Sequence, residues 1–495
     1  MRLTTLSCFA LSLLAGAADA QTKSQPVRSL ALRECVRMAL EHNLDVQIEQ
    51  YNPRVNQLTL AGSYGVYDPS YNLTVNDNFN QSPGGATREG IPIPPSKINF
   101  DVFNQSVGGT LPVGLNYQLA TALTYRRGSA IPNASEYVGS AAITLSQPLL
   151  KNFWIDANRE TIAINKKNLR SSELSLDFQI MNVLTKVELA YYDLIFAYEN
   201  VKVQQSALEL ADRLLAENKK RVEVGALAPL DEKQAQSQVA ARRADLLAAQ
   251  RELATQQNVL KNLLTDDFVA WQDVAITPAD RLIALAGSFN LQESWNRGMT
   301  TRPDLQQLKV ELEKRDIILR FRHNQLFPQL DLTGSFGHNA LGASFGNYLT
   351  DIRTGDSPSY GVGMVLSIPL GNRVARNTYE AAKLDKQQQL LRYKKLEQDI
   401  VVQIDDAIKL AQTQYERVDA TRQARLYAEA ALDAEQKKLA NGKSTSFVVL
   451  QLQRDLTAAR SAEIRALADY NKALAQLSLN EGSTLERNKL SVEVK

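Results

Sequence analysis

The residues able to do chemistry are few and far apart in this chain. Histidine occurs three times, as His42, His323 and His338. None has a second histidine or cysteine two to five residues on, the spacing by which a helix or turn shares a metal ion. Cysteine occurs only as Cys8 and Cys35, and Cys8 lies in a stretch that reads as a removable leader. The remaining thiol can form no intrachain disulfide, no CxxC pair and no cysteine metal cluster. Paired carboxylates stand at Asp266-Asp267 and Asp405-Asp406, but neither pair has a histidine or nucleophile beside it. The glycines Gly84, Gly85, Gly337, Gly342 and Gly346 mark loops, and the GxxxxGK[ST] phosphate cradle is missing. A formal net charge of +2 leaves no basic footprint for nucleic acid. The reading is of a non-enzymatic chain without cofactor, whose work lies in its elements.

The first twenty residues have the three parts of an export signal. Arg2 supplies the positive end, Leu6 to Ala15 the apolar run, and Ala18-Asp19-Ala20 the small-x-small cleavage site. The run is too short for a spanning helix, which needs about 20 residues. Cleavage leaves Gln21 at the N-terminus, where lipid anchoring would require cysteine. No later stretch offers about 18 continuous apolar residues, so any membrane crossing must use strands closed into a barrel.

Self-comparison shows the same plan written twice. The segment from Leu32 to Asp45 aligns with that from Leu291 to Asp304, and Pro69 with Pro328, at one offset of 259 residues. Pro148 aligns with Pro369 and Gly225 with Gly442, at offsets of 221 and 217. The first half therefore carries 38 extra residues between its two prolines. Repeat one spans residues 21–265, a linker 266–288, repeat two 289–480 and a tail 481–495.

Each repeat changes period in the same order. A helical segment opens it, about 31–61 and 291–326. Two alternating stretches follow, about 66–80 with 137–147 and about 330–337 with 361–368. Tyr71, Leu73, Val75 and Phe79 point one way, and Asn72, Thr74, Asn76 and Asn78 the other; this period of two predicts strands. Long helical hairpins then run over 155–264 and 373–479, breaking at Gly225 and Gly442. Helices of about 65–70 residues would be roughly 100 Å long, too long for a compact globule of this size. Within the 38-residue excess, about 103–127 reads as an extra hairpin that either stands outside the membrane or enters the barrel and raises the count to six strands per chain; the external position is the one favoured here.

Four short strands cannot close a barrel, for which about eight is the practical minimum, and open edges are not tolerated in lipid. Several chains must therefore share one barrel, and three would give twelve strands. The expected fold is mainly α with a β-barrel part: two repeats, α-hairpins forming a periplasmic α-barrel, and about four strands per chain in a shared trimeric outer-membrane barrel. Pro148 and Pro369 sit where strand hands over to helix, a place where a missing N–H costs little.

The stretches "SLALRECVRMALEHNLDV", "TRPDLQQLKVELE", "ITLSQPLL", "VLSIPLGN", "VGALAPLDEKQAQ" and "NGKSTSFVVLQLQ" resemble, in order and spacing, the TolC-like outer-membrane efflux proteins. The resemblance covers nearly the whole chain beyond the leader. It implies a homotrimeric channel in outer-membrane lipid that serves efflux or secretion through a periplasmic adaptor and an inner-membrane exporter. Docking onto the adaptor would then fall on the hairpin tips, Val224, Gly225, Ala226 and Leu227 with Asn441, Gly442, Lys443 and Ser444. The best-known family member narrows its periplasmic mouth with two aspartates, where this chain has Val448 and Gln451. Where that member has a Tyr and an Arg, this chain has Leu439 and Ser444; a first-hairpin aspartate does match, at Asp231. Asp231 is read equally as a gate residue and as an acid favoured at a helix start. A rival reading as a periplasmic coiled-coil scaffold explains the helices but not the paired amphipathic strands.

Overall fold

The computed structural model describes residues 27–129, 131 and 135–488; the expected leader and the last seven residues lie outside them. The chain opens with strand β1 (Val27–Leu30), helix α1 (Leu32–His42) and helix α2 (Leu44–Ser63). A single segment over about 31–61 is expected, but Asn43 divides it. Its backbone is extended and its side chain accepts from Asp45 N and Val46 N, capping the second helix. The second half opens in the same way. Helix α5 (Leu291–Thr301) and helix α6 (Pro303–Asn324) are divided at Arg302, again extended, with Pro303 starting α6.

Between these come the strands of the main sheet and the long helices. Strand β2 (Ser70–Ser82), the small ladder β3 (Gly85–Ala86) with β4 (Pro92–Ile93), and strands β5 (Ser96–Thr110), β6 (Asn116–Gly128) and β7 (Ser135–Pro148) precede helix α3 (Ala157–Glu223) and helix α4 (Pro229–Leu264). After strand β8 (Ala275–Pro278) and the α5–α6 pair, strand β9 (Gln329–Gly342), helix α7 (Phe345–Thr354) and strand β10 (Pro358–Ser367) lead to helix α8 (Arg373–Ala440) and helix α9 (Ser446–Glu481). A short helix α10 (Thr484–Arg487) closes the described chain. At 67 and 68 residues, α3 and α8 are each about 100 Å long.

One sheet of six strands stands above the helices, in the order β10-β9-β7-β6-β5-β2, antiparallel throughout. The sheet thus holds six strands where about four per chain are expected, and the extra hairpin over 103–127 supplies the two added ones. β5 and β6 pair along their full lengths between β2 and β7 instead of standing apart from them. The difference has a physical cause: alternation marks a strand but does not reveal which ladder it joins. Sequence reading also misses α7, which lies between β9 and β10.

Below the sheet, α3 packs on α2 and α6, and α6 on α8; lower down, α3 packs on α4 and α9, and α9 on α8. Where these systems meet, α3 is buried on several faces from Leu176 to Ile195, against Cys35, Val36, Ala39, Leu260, Leu264 and Ile276. The linker is drawn into this core. β8 pairs in parallel with β1, and the Tyr191 hydroxyl donates to the Leu30 carbonyl and lies 2.9 Å from Asp280 Oδ2, which also accepts from Leu32 N at 2.8 Å. Of the alanines on the long helices, Ala235 and Ala466 are buried, whereas Ala241, Ala244, Ala248 and Ala458 face outward. The core is apolar where helices meet helices of the same chain, and small residues remain on the outer faces.

Candidate functional site

The two hairpin tips are built alike. α3 is capped by Val224, after which Gly225 takes φ +75°; Gly225 N donates to Val222 O and Ala226 N to Arg221 O at 2.7 Å. α8 is capped by Asn441, after which Gly442 takes φ +71°; Gly442 N donates to Leu439 O and Lys443 N to Lys438 O at 2.9 Å. Each is the paired 6→1 and 5→2 arrangement that satisfies the last carbonyls of a helix, and its left-handed residue is glycine because a Cβ is disfavoured there. Pro229, at the start of α4, lets the chain return at once. Val224, Gly225, Ala226, Asn441, Gly442 and Lys443 thus form rigid turns at the far end of the molecule. Leu227 lies beside them, and Ser444 is tied back to Glu435 through its hydroxyl. That bond, and then Lys438, hold the Glu435 carboxyl below its ordinary range.

Just behind the tips the hairpins are joined. Asn218 of α3, 1 % exposed, accepts from the Ser446 hydroxyl of α9 at 3.0 Å and places its amide nitrogen 3.5 Å from the Asp231 carbonyl. Arg221 Nη1 reaches the Leu439 carbonyl at 3.4 Å. Leu439 itself is buried with Leu214, Leu432 and Val449, so it meets Arg221 through its backbone. Asp231 lies in the first turn of α4. Val448 and Gln451 sit on the exposed face of α9 and carry no charge. Sequence reading does not single out Asn218 or Ser446, yet a signal exists. Ala207, Ala211, Leu214 and Asn218 are buried at four-three-four spacing, and a lone polar residue in such a seam fixes the register of the packed helices.

At the other end, strand hands over to helix through two related corners. Pro148 ends β7 and Pro369 lies two residues beyond β10. Past each, an asparagine takes positive φ: Asn152 at 65° and Asn372 at 40°. The buried Asn324 donates to Leu150 O and accepts from Asn152 N at 2.7 Å, while Asn372 Nδ2 donates to Leu326 O. Asp156 caps α3 and binds Arg159, whose Nη2 donates to Asn152 O and Phe153 O at 2.8 Å.

The ladder registers decide which side chains share a sheet face. Asn72 lies opposite Ser106, Gln118 opposite Thr144, and Thr144 opposite Ser335. A hollow of about 410 Å³ lies on this polar face, lined by Asn72, Ser106, Asn116, Gln118, Thr144 and Ser146. The other face carries Tyr71, Leu73, Leu119, Ile143, Phe336 and Val362, all more than a third exposed. Among the described residues, no cluster of three or more His, Cys, Asp or Glu could hold a metal ion, and no helix is long and apolar enough to cross a membrane.

Comparison with known proteins agrees with this geometry. The chain is 23% identical over 390 residues to the outer membrane efflux protein BepC of Brucella suis, covering 76% of this chain and 79% of that one. It is 22% identical over 405 residues to the outer membrane protein TolC of Vibrio cholerae, covering 79% and 87%. Among solved structures, a membrane protein from Pseudomonas aeruginosa shares the fold at TM-score 0.66 and 19% identity, over 91% of this chain and 90% of that one. VceC of Vibrio cholerae shares it at TM-score 0.63 and 18% identity, over 91% and 96%. Residues 114–265 and 299–482 match the family described as outer membrane efflux protein, and the chain belongs to that family.

Proposed function

We propose that this chain is one subunit of a passive outer-membrane duct. Three copies close into a ring, their sheets forming one barrel and their long helices extending it into the periplasm. One observation carries the reading: every layer of the chain is open at the same two sides. In the sheet, β2 and β10 each have a ladder on one side only among the described residues. Under the sheet the outer helices are α2 and α8, and lower down they are α4 and α8. A sheet with two open edges cannot stand in lipid, and a head-to-tail contact between unlike edges closes into a ring when the rotation allows.

The outer helices carry apolar side chains that their own chain leaves uncovered. On α2 these are Leu44, Ile48, Tyr51, Val55 and Leu58, the four-three repeat of a coiled-coil seam. On α8 they include Leu384, Leu391 and Val402. The polar face then becomes a water-filled lumen and the apolar face meets lipid, as in membrane barrels generally. Three is the number that the family resemblance implies. The hairpin tips, rigid and farthest from the sheet, are the natural contact for a periplasmic adaptor linked to an inner-membrane exporter of solutes or polypeptides.

Planar-bilayer conductance of the detergent-purified protein, with its mass measured by light scattering, tests the proposal. Steady ion conductance from a trimer is expected. A monomer that never conducts and washes off membranes in high salt would replace the duct with a periplasmic scaffold.

A further inference from the structure

The hairpin of β5 and β6 has no counterpart in the second half of the chain, and its strands reach the inner end of the sheet. β5 pairs with β2 down to Ser70↔Gly108, and β6 with β7 down to Asn116↔Ser146. A hairpin standing above the membrane would pair beyond the outer ends of its neighbours, not along their whole length. The turn between β5 and β6 also lies at the strand-to-helix corner. A Cβ on Gly114, at φ +84°, would come 3.0 Å from Arg159 Nη2 and 3.6 Å from Asn152 O. Gln147 Nε2 reaches the Val113 carbonyl at 3.4 Å. The side chains keep the alternation of their neighbours, with Asn116 and Gln118 on the hollow polar face and Leu119, 52 % exposed, on the apolar one.

We propose that β5 and β6 are staves of the barrel itself, so that three chains close eighteen strands and the outer-membrane pore is as wide as the helical tube beneath it. The inference rests on the three-chain duct proposed above. Strands about 4.8 Å apart and tilted by about 40° each take roughly 6.3 Å of circumference. Eighteen then span roughly 113 Å, and twelve roughly 75 Å, on the same spacing and tilt. Under the sheet each chain lays α2, α3, α6 and α8 side by side. Twelve such helices at about 9 Å spacing span roughly 108 Å. Eighteen strands therefore meet the helical ring without a taper, whereas twelve would draw the duct in by about a third. The pore adds no size filter of its own, and at its inner end the hollow is lined by Asn, Gln, Ser and Thr. Whatever passes the helical tube leaves through the barrel, and discrimination falls to the periplasmic mouth and the exporter.

Nitroxide labels on single cysteines in the full-length protein, reconstituted in liposomes, test this. Gln118→Cys and Leu119→Cys report on β6, Asn72→Cys and Leu73→Cys on β2; Cys35 is fully buried and takes no label. Collision with oxygen, which concentrates in lipid, is compared with collision with a water-soluble nickel complex. Both pairs are expected to alternate, the leucine positions favouring oxygen severalfold over their neighbours. If Asn72 and Leu73 alternate while Gln118 and Leu119 are both wet, the hairpin stands outside the membrane. The eighteen-strand pore is then overturned and the shared barrel survives. If neither pair alternates, the barrel reading fails and takes the wider pore with it.

Discussion

Replacing Asn218 by alanine is expected to loosen the two hairpins from each other just behind their tips. Asn218 and Ser446 are each 1 % exposed, and the serine hydroxyl donates to Asn218 Oδ1 at 3.0 Å. Asn218→Ala leaves that hydroxyl buried without its acceptor, at a cost of about 1–3 kcal/mol. Ser446→Ala removes the donor and leaves the amide oxygen in its place, a comparable loss. The double variant removes both ends of the bond, so its cost should fall short of the sum by about 1 kcal/mol, the net worth of one hydrogen bond. The long helices do not unfold as one unit, so the readout must be local: amide hydrogen exchange over residues 219–223 and 446–450 in each of the four proteins. A loss of about 2 kcal/mol speeds exchange through local opening roughly thirtyfold. Amides in the α3 core near Leu184, far from the tips, should not change. The reasoning is refuted if the two single effects add to within about 0.3 kcal/mol, or if protection falls equally along the whole of α3.

Other outcomes follow from neighbouring features. Gly225→Ala and Gly442→Ala meet no atom within 4 Å but force φ of +75° and +71° on an L side chain. Each should cost about 1–2 kcal/mol, seen as faster proteolysis at that tip, with asparagine tolerated better than alanine. Burial pushes the Cys35 thiol up to about 12, so thiol reagents at pH 8 should leave it unmodified until denaturant is added. The Arg460 guanidinium, then that of Arg425, holds the Glu429 carboxyl below the ordinary carboxylate range. A lowered folded-state value means the bridge between α8 and α9 is fully present above the ordinary carboxylate pKa and is lost as pH falls through the lowered one. Glu429→Gln should flatten that acid-side loss in a hydrogen-exchange titration of the hairpin. With Val448 and Gln451 uncharged, multivalent cations should block the reconstituted channel weakly, and Val448→Asp with Gln451→Asp should strengthen the block; sharp closure of the unaltered channel at millimolar divalent or trivalent cations would count against this.

Much of the architecture is legible in the residues alone, because it rests on signals local to the chain. Helix length follows from unbroken period and the lack of proline between Asp156 and Val224. The tips follow from Gly225 and Gly442, since a left-handed turn after a helix has few other residues open to it. Strand faces follow from alternation at Tyr71 to Phe79. Tertiary structure decided what depends on partners distant in sequence. The alternation around Leu119 marks a strand but not its neighbours, because a strand's ladder is set by which edge it meets, so only packing placed β6 between β5 and β7 in one six-stranded sheet. Asn218 and Ser446 stand 228 residues apart, and their pairing exists only once two hairpins lie side by side. Likewise β8, in a stretch read as a linker, becomes structural only when β1 offers it an edge. Local chemistry gave the elements and their ends; which element lies beside which, and hence how wide the sheet is, came only from packing.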